Sequence, residues 1–353
     1  MKVAIHAWRE LDHAEAGGSE KLVDQMARGL LGHGHRVIVI AGGPVGTRQY
    51  PTIDAGSTYG QYLRAPFIDH RWARDADLVI DVANGMTFCS PLWRRGPTLL
   101  LIHHVHTDQW ATRFGPLVAA TGRFIEAELI PRVYSRSLIV VPSPSTAVEV
   151  RKLGIGATRV RIVPNVVIAR PINVPKRPEP QFMVLGRLMP HKRVDLVLRA
   201  WERVRPHSGG TLLIAGDGPD RAKLERSAGA SVSFLGFVDE DRKARLLAES
   251  WILVHGAMHE GWGIAITEAG VQRTPAIGFD VPGVRDSVVN GRSGVLVQTE
   301  DELVETWKRL ARTPEERAQL GLGAAAVADQ YTEQAAAVAL NAVVHEAVRR
   351  TRG

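Results

Sequence analysis

Short apolar runs of strand length alternate with helical segments along almost the whole chain, and this pattern constrains the fold more than any other feature. In the first half the runs are KVAIHAW, HRVIVIAG, DLVIDVANG, PTLLLIHHVH and LIVVPSPS, and SEKLVDQMARGLLGHG between the first two has helical periodicity. Apolar strands that alternate with helices indicate a parallel sheet covered on both faces. We predict a Rossmann-like, doubly wound α/β domain over residues 1–168.

The alternation restarts after a proline-rich segment, VPNVVIARPINVPKRPEPQ, in which periodicity is lost. We place a linker at 169–180 and a second Rossmann-like domain at 181–332, in agreement with a length of 353 residues, which exceeds one ordinary core. Residues 333–353 are predicted to form a helix that packs back across the domains toward the first one. We expect two such domains to face a cleft, because parallel sheets bind ligands at the carboxyl ends of their strands.

The chain is basic, with a net charge of +7 and a pI of about 9.8. The excess lies mainly in residues 1–163, which carry 19 Lys and Arg against 14 Asp and Glu. Such a charge favours phosphorylated small molecules, nucleic acid or an anionic membrane as partners. Aromatic residues make up only 6% and no block of five like charges occurs, which disfavours nucleic acid. Peripheral contact with an anionic membrane stays open.

The cellular location is predicted to be cytoplasmic, with the inner face of the membrane as an alternative site. No apolar run approaches the length that crosses a bilayer, and MKVAIHAWRELDHAEAGG does not resemble a signal peptide. The single Cys89 agrees with a reducing compartment.

Basic and glycine-containing segments follow the strands of the second half. GRLMPHK places Arg187 and Lys192 five residues apart, where a guanidinium and an ammonium could hold a diphosphate, with solvated surface as the alternative. GDGP, which begins at Gly216, is a tight turn after the next strand. Neither half has G-x-G-x-x-G after its first strand, which disfavours a dinucleotide dehydrogenase.

Two glutamates separated by seven residues occur in HEGWGIAITEAG, residues 259–270. We expect a helix to begin near Ile264, where its free amides favour an anion. Glu268 lies about one turn inside that helix and suits the hydroxyls of a ribose, whereas Glu260 suits the hydroxyls of a second sugar beyond the diphosphate. Helix-dipole stabilisation explains one acidic residue but not Glu260, which precedes the helix.

Three histidines, His103, His104 and His106, stand at a strand end in LIHHVHTDQW. Neighbouring strand residues point to opposite faces, and no carboxylate or cysteine cluster completes a site, so no metal is predicted. Asp108 and Trp110, just beyond, are candidates for an acceptor pocket, with buried packing as the alternative for the Trp.

The motifs in this order resemble the retaining nucleotide-sugar glycosyltransferases of family four, which have the GT-B architecture of two Rossmann-like domains. The resemblance covers nearly the whole chain and is carried by AGGSE, GHRV, VPNVV, LGRLMPHKRVD, IAGDGP, FLGFV, EGWGIAITEAG, TPAI and VPGVRDSVVNGRSGVLV. It implies transfer of a hexose-type sugar from a UDP- or GDP-sugar to an acceptor. No metal or other cofactor is expected, because Arg187, Lys192 and the helix amides would replace it. Arginine far outnumbers lysine and alanine is abundant, which indicates a GC-rich bacterial genome and favours a glycolipid, oligosaccharide or natural-product acceptor.

The resemblance also implies roles for the donor-site residues. Arg187 and Lys192 would bind the diphosphate, with Gly216 beside them, and Glu268 would bind the ribose. The main chain at Val238 would meet the base. The transferred sugar would be bound by Glu260 together with the backbone of Gly261, Trp262, Gly263 and Ile264.

In the first half, the resemblance implies that Gly17 and Gly18 close onto the diphosphate; a turn before a helix capped by Ser19 is the alternative. His103 would be the active-site histidine near the sugar and leaving group, with His104 and His106 as neighbouring candidates. His103, Glu260, Arg187 and Lys192 are therefore the predicted catalytic residues. Relatives have glycine at the position of Arg273, so we expect either an altered turn there or a surface role for the Arg.

Two other classes of protein remain open at this stage. One is an enzyme of the same fold that processes nucleotide sugars, such as an epimerase; the other is a non-catalytic protein that binds sugar nucleotides. A phosphorylase with pyridoxal phosphate is disfavoured, because no lysine has the context of a Schiff-base residue in such enzymes. The identity of the nucleotide, sugar, acceptor and linkage, and the oligomeric state, do not follow from the sequence.

Overall fold

The computed structural model describes residues 1–14, 16–57, 59–106, 110 and 115–352, and the chain divides into two compact units. The first unit comprises Met1–Val166 and Glu333–Gly353, and the second comprises Val167–Thr332. The segment predicted as a linker, 169–180, lies in the second unit. It is bonded there, because the Gln272 side chain donates to the Arg170 carbonyl at 2.7 Å and accepts from the Ile172 amide at 3.1 Å.

Parallel strands form the centre of the first unit. They are β1 (Lys2–Arg9), β2 (Arg36–Gly42), β3 (Thr52–Asp54), β4 (Leu78–Ala83), β5 (Thr98–Ile102), β6 (Leu138–Val141) and β7 (Val160–Ile162). Within the described residues they make a seven-stranded sheet in the order β3-β2-β1-β4-β5-β6-β7, with every neighbouring pair parallel. The strand order reverses between β1 and β4, which is the topological switch point of a doubly wound sheet.

Helices cover both faces of this sheet. They are α1 (Gly18–Gly32), α2 (Gly60–Trp72), α3 (Pro116–Phe124), a π-helical turn (Ile125–Leu129), α4 (Ile130–Val133), α5 (Pro144–Lys152) and the C-terminal helix (Glu333–Arg352). Short 3-10 turns occur at Ser90–Leu92 and Ala157–Arg159. On one face, α1 and the C-terminal helix bury Leu30 and Val344 against Ile5. On the other, α2 and the α4–α5 segment pack against alternate residues of the same strands.

The second unit repeats the architecture with β8 (Gln181–Leu185), β9 (Thr211–Ala215), β10 (Val232–Gly236), β11 (Ile252–His255), β12 (Ala276–Phe279) and β13 (Gly294–Val297). The sheet order is β10-β9-β8-β11-β12-β13. A 3-10 turn spans Pro190–Lys192. The helices are α6 (Val194–Ser208), α7 (Arg221–Ser227), α8 (Glu240–Glu249), α9 (Ile264–Val271), α10 (Val284–Ser287), α11 (Glu300–Arg312) and α12 (Pro314–Ala328).

The core of the second unit contains three fully buried aromatic rings. The centroids of Trp201 and Trp307 are 5.4 Å apart, and Phe182 of β8 lies 5.3 Å from Trp307. These rings join α6 and α11 to the sheet, and such aromatic contacts stabilise a core beyond their buried area. The predicted fold class, two Rossmann-like α/β domains with parallel sheets, is confirmed. No helix in the described part of the chain is long and apolar enough to cross a membrane.

A buried network of charged side chains joins β1, β4 and α2 inside the first unit. Nδ1 of His6 lies 3.2 Å from a carboxylate oxygen of Asp81, and Nε2 lies 3.3 Å from one of Asp69. Asp69 also accepts a hydrogen bond from Arg94 at 2.5 Å, and Asp81 accepts one from the amide of Ser90 at 3.0 Å. Burial lowers the pKa of His6, but its hydrogen bonds and charge interactions with Asp69 and Asp81 outweigh this effect and raise the pKa above 6.5.

This network predicts a loss of stability as the pH rises. The folded chain holds the His6 proton more tightly than the unfolded chain, so the stabilisation is complete below pH 6.5 and is lost as the pH rises through the folded pKa. In a urea titration series, the free energy of unfolding of the wild type falls above pH 6.5. His6→Gln should lower the free energy of unfolding by about 3 kcal/mol at acidic pH, since two buried carboxylates lose a cationic partner. It should also remove the decrease in this free energy above pH 6.5.

The matched control is His70→Gln, because His70 is exposed on the same helix as Asp69. This variant should keep the pH dependence of the wild type. If the free energy of unfolding of His6→Gln depends on pH as that of the wild type does, His6 is not the group that loses a proton in this range.

Candidate functional site

The carboxyl ends of β8, β9 and β10 are bonded to one another through glycine backbones. The amide of Gly186 donates to the carbonyl of Ala215 at 3.0 Å, and the amide of Gly216 donates to that of Gly236 at 2.8 Å. A Cβ atom on Gly216 would lie 2.0 Å from the carbonyl oxygen of Gly186, so no other residue fits at this position. The loops after the three strands therefore start from one edge of the sheet.

Arg187 and Lys192 extend from the first of these loops and differ in their surroundings. Arg187 is exposed, and its side chain makes no hydrogen bond or ion pair within the described residues. Lys192 is partly buried at the end of the 3-10 turn and forms an ion pair with Glu260. Arg187 thus faces solvent and is available to an anion, whereas Lys192 is held beside the carboxylate of Glu260.

Glu260 lies in the loop between β11 and α9 and is bonded on two sides. One of its carboxylate oxygens pairs with the ammonium of Lys192 and lies 3.0 Å from Nε2 of His255, the last residue of β11. Burial raises the pKa of Glu260, but the charge of Lys192 and the hydrogen bond to His255 outweigh burial and hold the pKa well below its usual range. Glu260 is therefore a carboxylate that can only accept hydrogen bonds.

The Arg193 side chain is bonded to the backbone between β11 and Glu260, a contact that the sequence did not predict. Its Nε donates to the carbonyl of Gly256 at 2.7 Å, and its guanidinium lies 4.2 Å from the centroid of the Phe279 ring. Arg193 has a φ of +47°, in the left-handed region, which costs about 1 kcal/mol or more for a residue with a side chain. These contacts offset that cost and fix the chain between β11 and Glu260.

Helix α9 begins at Ile264, as predicted, and its N-cap is Gly263 with a φ of +86° and a ψ of +55°. The free amides of its first turn follow Gly261, and the helix dipole adds partial positive charge there. Trp262 is buried and packs its ring on Tyr331 at 4.5 Å between centroids. The contact of Trp262 with the transferred sugar, which is predicted through its main chain, stays a prediction.

Glu268, on α9, is paired with a lysine that the sequence analysis missed. Nζ of Lys243 on α8 lies 2.5 Å from Glu268 and 2.7 Å from Glu240. Burial lowers the pKa of Lys243, but the charge of Glu268 and the hydrogen bonds to Glu240 and Glu268 together outweigh burial and raise the pKa, so the ammonium is kept. Val238, which precedes α8, is buried in a cluster with Leu247 of α8 and Ile266 of α9. The polar sequence around Lys243, DEDRKARLLAES, resembles a solvated helix surface and gives no sign of the contact.

Gly17 and Gly18 stand at the start of α1 in the first unit. The helix begins at Gly18, and the amide of Gly17 donates to the carboxylate of Glu20 at 2.7 Å. The alternative of capping by Ser19 was wrong, because Ser19 lies inside the first turn. The carboxylate of Glu20 instead accepts a hydrogen bond from the amide of Gly17 at the start of the helix.

His103 follows β5 directly and is buried. Its Nε2 has no hydrogen-bond partner among the described residues. Burial, with a smaller contribution from the charge of His106, lowers the pKa of His103 to about 4, so the imidazole is neutral at neutral pH. The rings of His104 and His106 lie 4.0 Å apart. The described residues contain no group of three or more His, Cys, Asp or Glu placed to hold a metal ion.

Trp110 contacts Glu126, a buried carboxylate on the π-helical turn that the sequence did not single out. Glu126 accepts hydrogen bonds from Nε1 of Trp110 at 2.9 Å and from the amide of His106 at 2.8 Å. A Cβ on Gly122 would lie 2.3 Å from the Trp110 ring, so the indole packs directly on the helix backbone. Packing is thus the observed role of Trp110, and Asp108, the other acceptor candidate, lies outside the described residues.

Arg273 occupies the turn before β12 with a φ of +54°. This is the left-handed conformation that glycine favours, so Arg273 gives this turn a glycine-like geometry. The Arg273 side chain is exposed, in agreement with the surface alternative.

The fold of two parallel-sheet units is that of a GT-B glycosyltransferase, as comparison with solved structures shows. The family described as "Glycosyltransferase Family 4" matches residues 16–169, and the family described as "Glycosyl transferases group 1" matches residues 168–326. The chain belongs to the glycosyltransferases of family four.

Among curated relatives, an alpha-D-kanosaminyltransferase of Streptomyces kanamyceticus is 29% identical over 176 residues, 47% of this chain and 46% of that enzyme. The chain thus spans about half the length of that relative. A glycogen synthase of Mycobacterium tuberculosis is 24% identical over 340 residues, 84% of this chain and 82% of that enzyme.

Among solved structures, sucrose-phosphate synthase from Thermosynechococcus elongatus has a TM-score of 0.82 at 18% identity, with 98% of each chain covered. Anabaena HepE in complex with UDP-glucose has a TM-score of 0.79 at 16% identity, with 98% of this chain and 100% of that chain covered.

The contacts of Glu126 predict a large difference between two neighbouring substitutions. Glu126→Gln replaces an acceptor of several N–H groups by an amide and leaves buried donors unsatisfied, so urea denaturation should show a loss of about 1–3 kcal/mol. Glu128→Gln, two residues away, removes only the exposed pair with Arg132 and should cost less than about 0.5 kcal/mol. Equal losses in the two variants would contradict this assignment.

Proposed function

We propose that the protein transfers a hexose-type sugar from a UDP- or GDP-sugar to a glycolipid, oligosaccharide or natural-product acceptor, with retention of configuration. The observation that carries the proposal is the pair of lysine–glutamate contacts in the second unit, Lys192 with Glu260 and Lys243 with Glu268. Both glutamates come from the segment around the start of α9, and each is paired with a lysine in a position suited to accept hydrogen bonds from sugar hydroxyls. The cytoplasmic location stays a prediction.

The diphosphate of the donor is assigned to Arg187, Lys192 and the first amides of α9. Arg187 offers a guanidinium without a partner in the described structure, and a helix N-terminus favours an anion. Lys192 would contact phosphate while it keeps Glu260 in place for the transferred sugar. Because these groups neutralise the leaving diphosphate, we propose that the reaction needs no divalent metal. The solved structure of HepE with UDP-glucose supports a nucleotide sugar as donor for this fold.

Glu268 is assigned to the ribose of the donor, and Glu240 provides a matched control on the same lysine. Glu268→Gln should weaken binding of UDP or GDP by about 1–3 kcal/mol in calorimetry, because the ribose hydroxyls and Lys243 lose a charged acceptor. Glu240 is 61% exposed at its side chain, and Glu240→Gln should change the affinity by less than about 0.5 kcal/mol. If the two variants bind equally well, Glu268 does not contact the ribose.

Retention is proposed through attack on the same face from which the diphosphate departs. The bond between the anomeric carbon and the diphosphate oxygen breaks while the acceptor oxygen bonds to that carbon, and the acceptor proton passes to the departing phosphate oxygen. His103 supports this proposal, since a neutral imidazole with a pKa of about 4 is a weak general base for an inverting attack. Its buried Nε2, which lacks a partner among the described residues, is suited to a hydrogen bond with the sugar.

The anomeric configuration of the product tests this mechanism. With an α-linked donor, the proton NMR coupling constant of the product should be that of an α-linkage. His103→Ala should reduce kcat by about 100-fold, within the range of catalytic hydrogen bonds, and leave the affinity for nucleoside diphosphate close to that of the wild type. A β-linked product would refute retention and make His103 or Asp108 a candidate base.

A further inference from the structure

Glu126 is a buried carboxylate whose two oxygens both bind the segment that follows β5. It is 4% exposed and lies on the π-helical turn between α3 and α4. Oε1 accepts a hydrogen bond from the amide of His106 at 2.8 Å and lies 3.2 Å from Nδ1 of the His106 ring. Oε2 accepts one from Nε1 of Trp110 at 2.9 Å. Such π-helical turns are rare and occur frequently at functional sites.

Trp110 is anchored at the far end of this segment between two glycines of the first unit. A Cβ atom on Gly85, in the loop after β4, would lie 2.8 Å from the Trp110 ring, and one on Gly122 of α3 would lie 2.3 Å from it. The amide of Trp110 also donates to the carbonyl of His106 at 3.1 Å. The indole is therefore held between the loop at the carboxyl end of β4 and the backbone of α3.

His103 lies at the near end of the same segment. β5 ends at Ile102, which pairs with Ala83 of β4, so the sheet fixes the chain directly before His103. Glu126 fixes the chain again at His106, three residues later, and three residues span at most about 11 Å. The charge of His106 contributes to the low pKa of His103, so the two rings interact electrostatically. The position of His103 thus depends on both anchors.

We propose that Glu126 is a positioning residue of the transfer reaction, because its bonds to His106 and Trp110 hold His103 in the orientation needed to bond the transferred sugar. The inference rests on the proposed function, which assigns that hydrogen bond to Nε2 of His103. Both oxygens of Glu126 are occupied by the segment itself, so Glu126 acts through His103. A displacement of about 1 Å at a reacting centre reduces the rate by up to about 100-fold.

The test measures release of nucleoside diphosphate from UDP-glucose and from GDP-mannose in the presence of a mixed acceptor extract. Glu126→Gln should lower kcat by about 10- to 100-fold and change the KM for the donor by less than about twofold, since the residues assigned to the nucleotide do not contact Glu126. A matched loss of kcat and affinity would indicate a general structural defect and overturn the proposal.

A double-variant cycle separates a positioning role from an independent one. If Glu126 acts through His103, then Glu126→Gln/His103→Ala should be slower than His103→Ala by less than about twofold. If the two residues act independently, the two losses multiply, and the proposal is wrong. Trp110→Phe keeps the packed ring and removes one N–H donor, so it should lower kcat by about two- to tenfold. Trp110→Phe and its double variant with His103→Ala carry the same test if Glu126→Gln does not fold.

Thr98→Val is the matched control, because it removes a buried hydrogen bond from the opposite end of the same strand. Thr98 is the first residue of β5, and its Oγ1 lies 2.5 Å from Oγ of Ser137. This variant should be destabilised in urea denaturation and keep the kcat of the wild type. An equal loss of kcat in Thr98→Val and Glu126→Gln would show that lost stability explains both.

Amide hydrogen exchange supplies a readout that does not depend on activity. The amides of residues 103–106 should exchange about tenfold faster or more in Glu126→Gln than in Thr98→Val, whereas those of 99–102 should exchange alike in both variants. Equal exchange at 103–106 would show that Glu126 does not hold the segment. A wild type that releases no nucleoside diphosphate would refute the proposed function, and the role of Glu126 in transfer with it. An active wild type with an unchanged kcat in Glu126→Gln would refute only the inference about Glu126.

Discussion

A backbone contact at the ends of β8 and β9 is the constraint on which the candidate donor site depends. Gly216 approaches Gly186 so closely that any side chain at Gly216 would overlap the neighbouring carbonyl oxygen. This approach allows the loop after β8 to carry Arg187 and Lys192 away from the same edge at which β10 ends.

Electrostatics then determines what the site can do. Lys192 keeps Glu260 ionised in a partly buried position, and Lys243 forms an ion pair with Glu268. Each glutamate is therefore held in place by a lysine, and a sugar hydroxyl would find an acceptor already oriented. Such preorganisation lowers the cost of ordering side chains on binding. Arg193 adds to it by fixing the backbone before Glu260.

Much of this arrangement could be predicted from the sequence, and the exceptions have physical causes. The apolar strands indicated both sheets, and the start of α9 followed from its glycines and apolar periodicity. In contrast, β3 and α2 were not predicted. Helix α2 contains Pro66 and directs Leu63 and Phe67 outward, which is against the usual periodicity of a helix packed on a sheet. The contacts of Lys243 with Glu268 and of Glu126 with Trp110 join residues far apart in the chain, and no local pattern encodes them.

The release of nucleoside diphosphate from candidate donors tests the central claim most directly. The purified protein is incubated with individual UDP- and GDP-hexoses in the presence of a chelator, with a mixed acceptor extract, and the products are measured by mass spectrometry. The account predicts that at least one donor yields nucleoside diphosphate and a product heavier by one hexose residue, and that Glu268→Gln reduces both. Binding of donors without release of diphosphate by the wild type, or release only after magnesium or manganese is added, would contradict it.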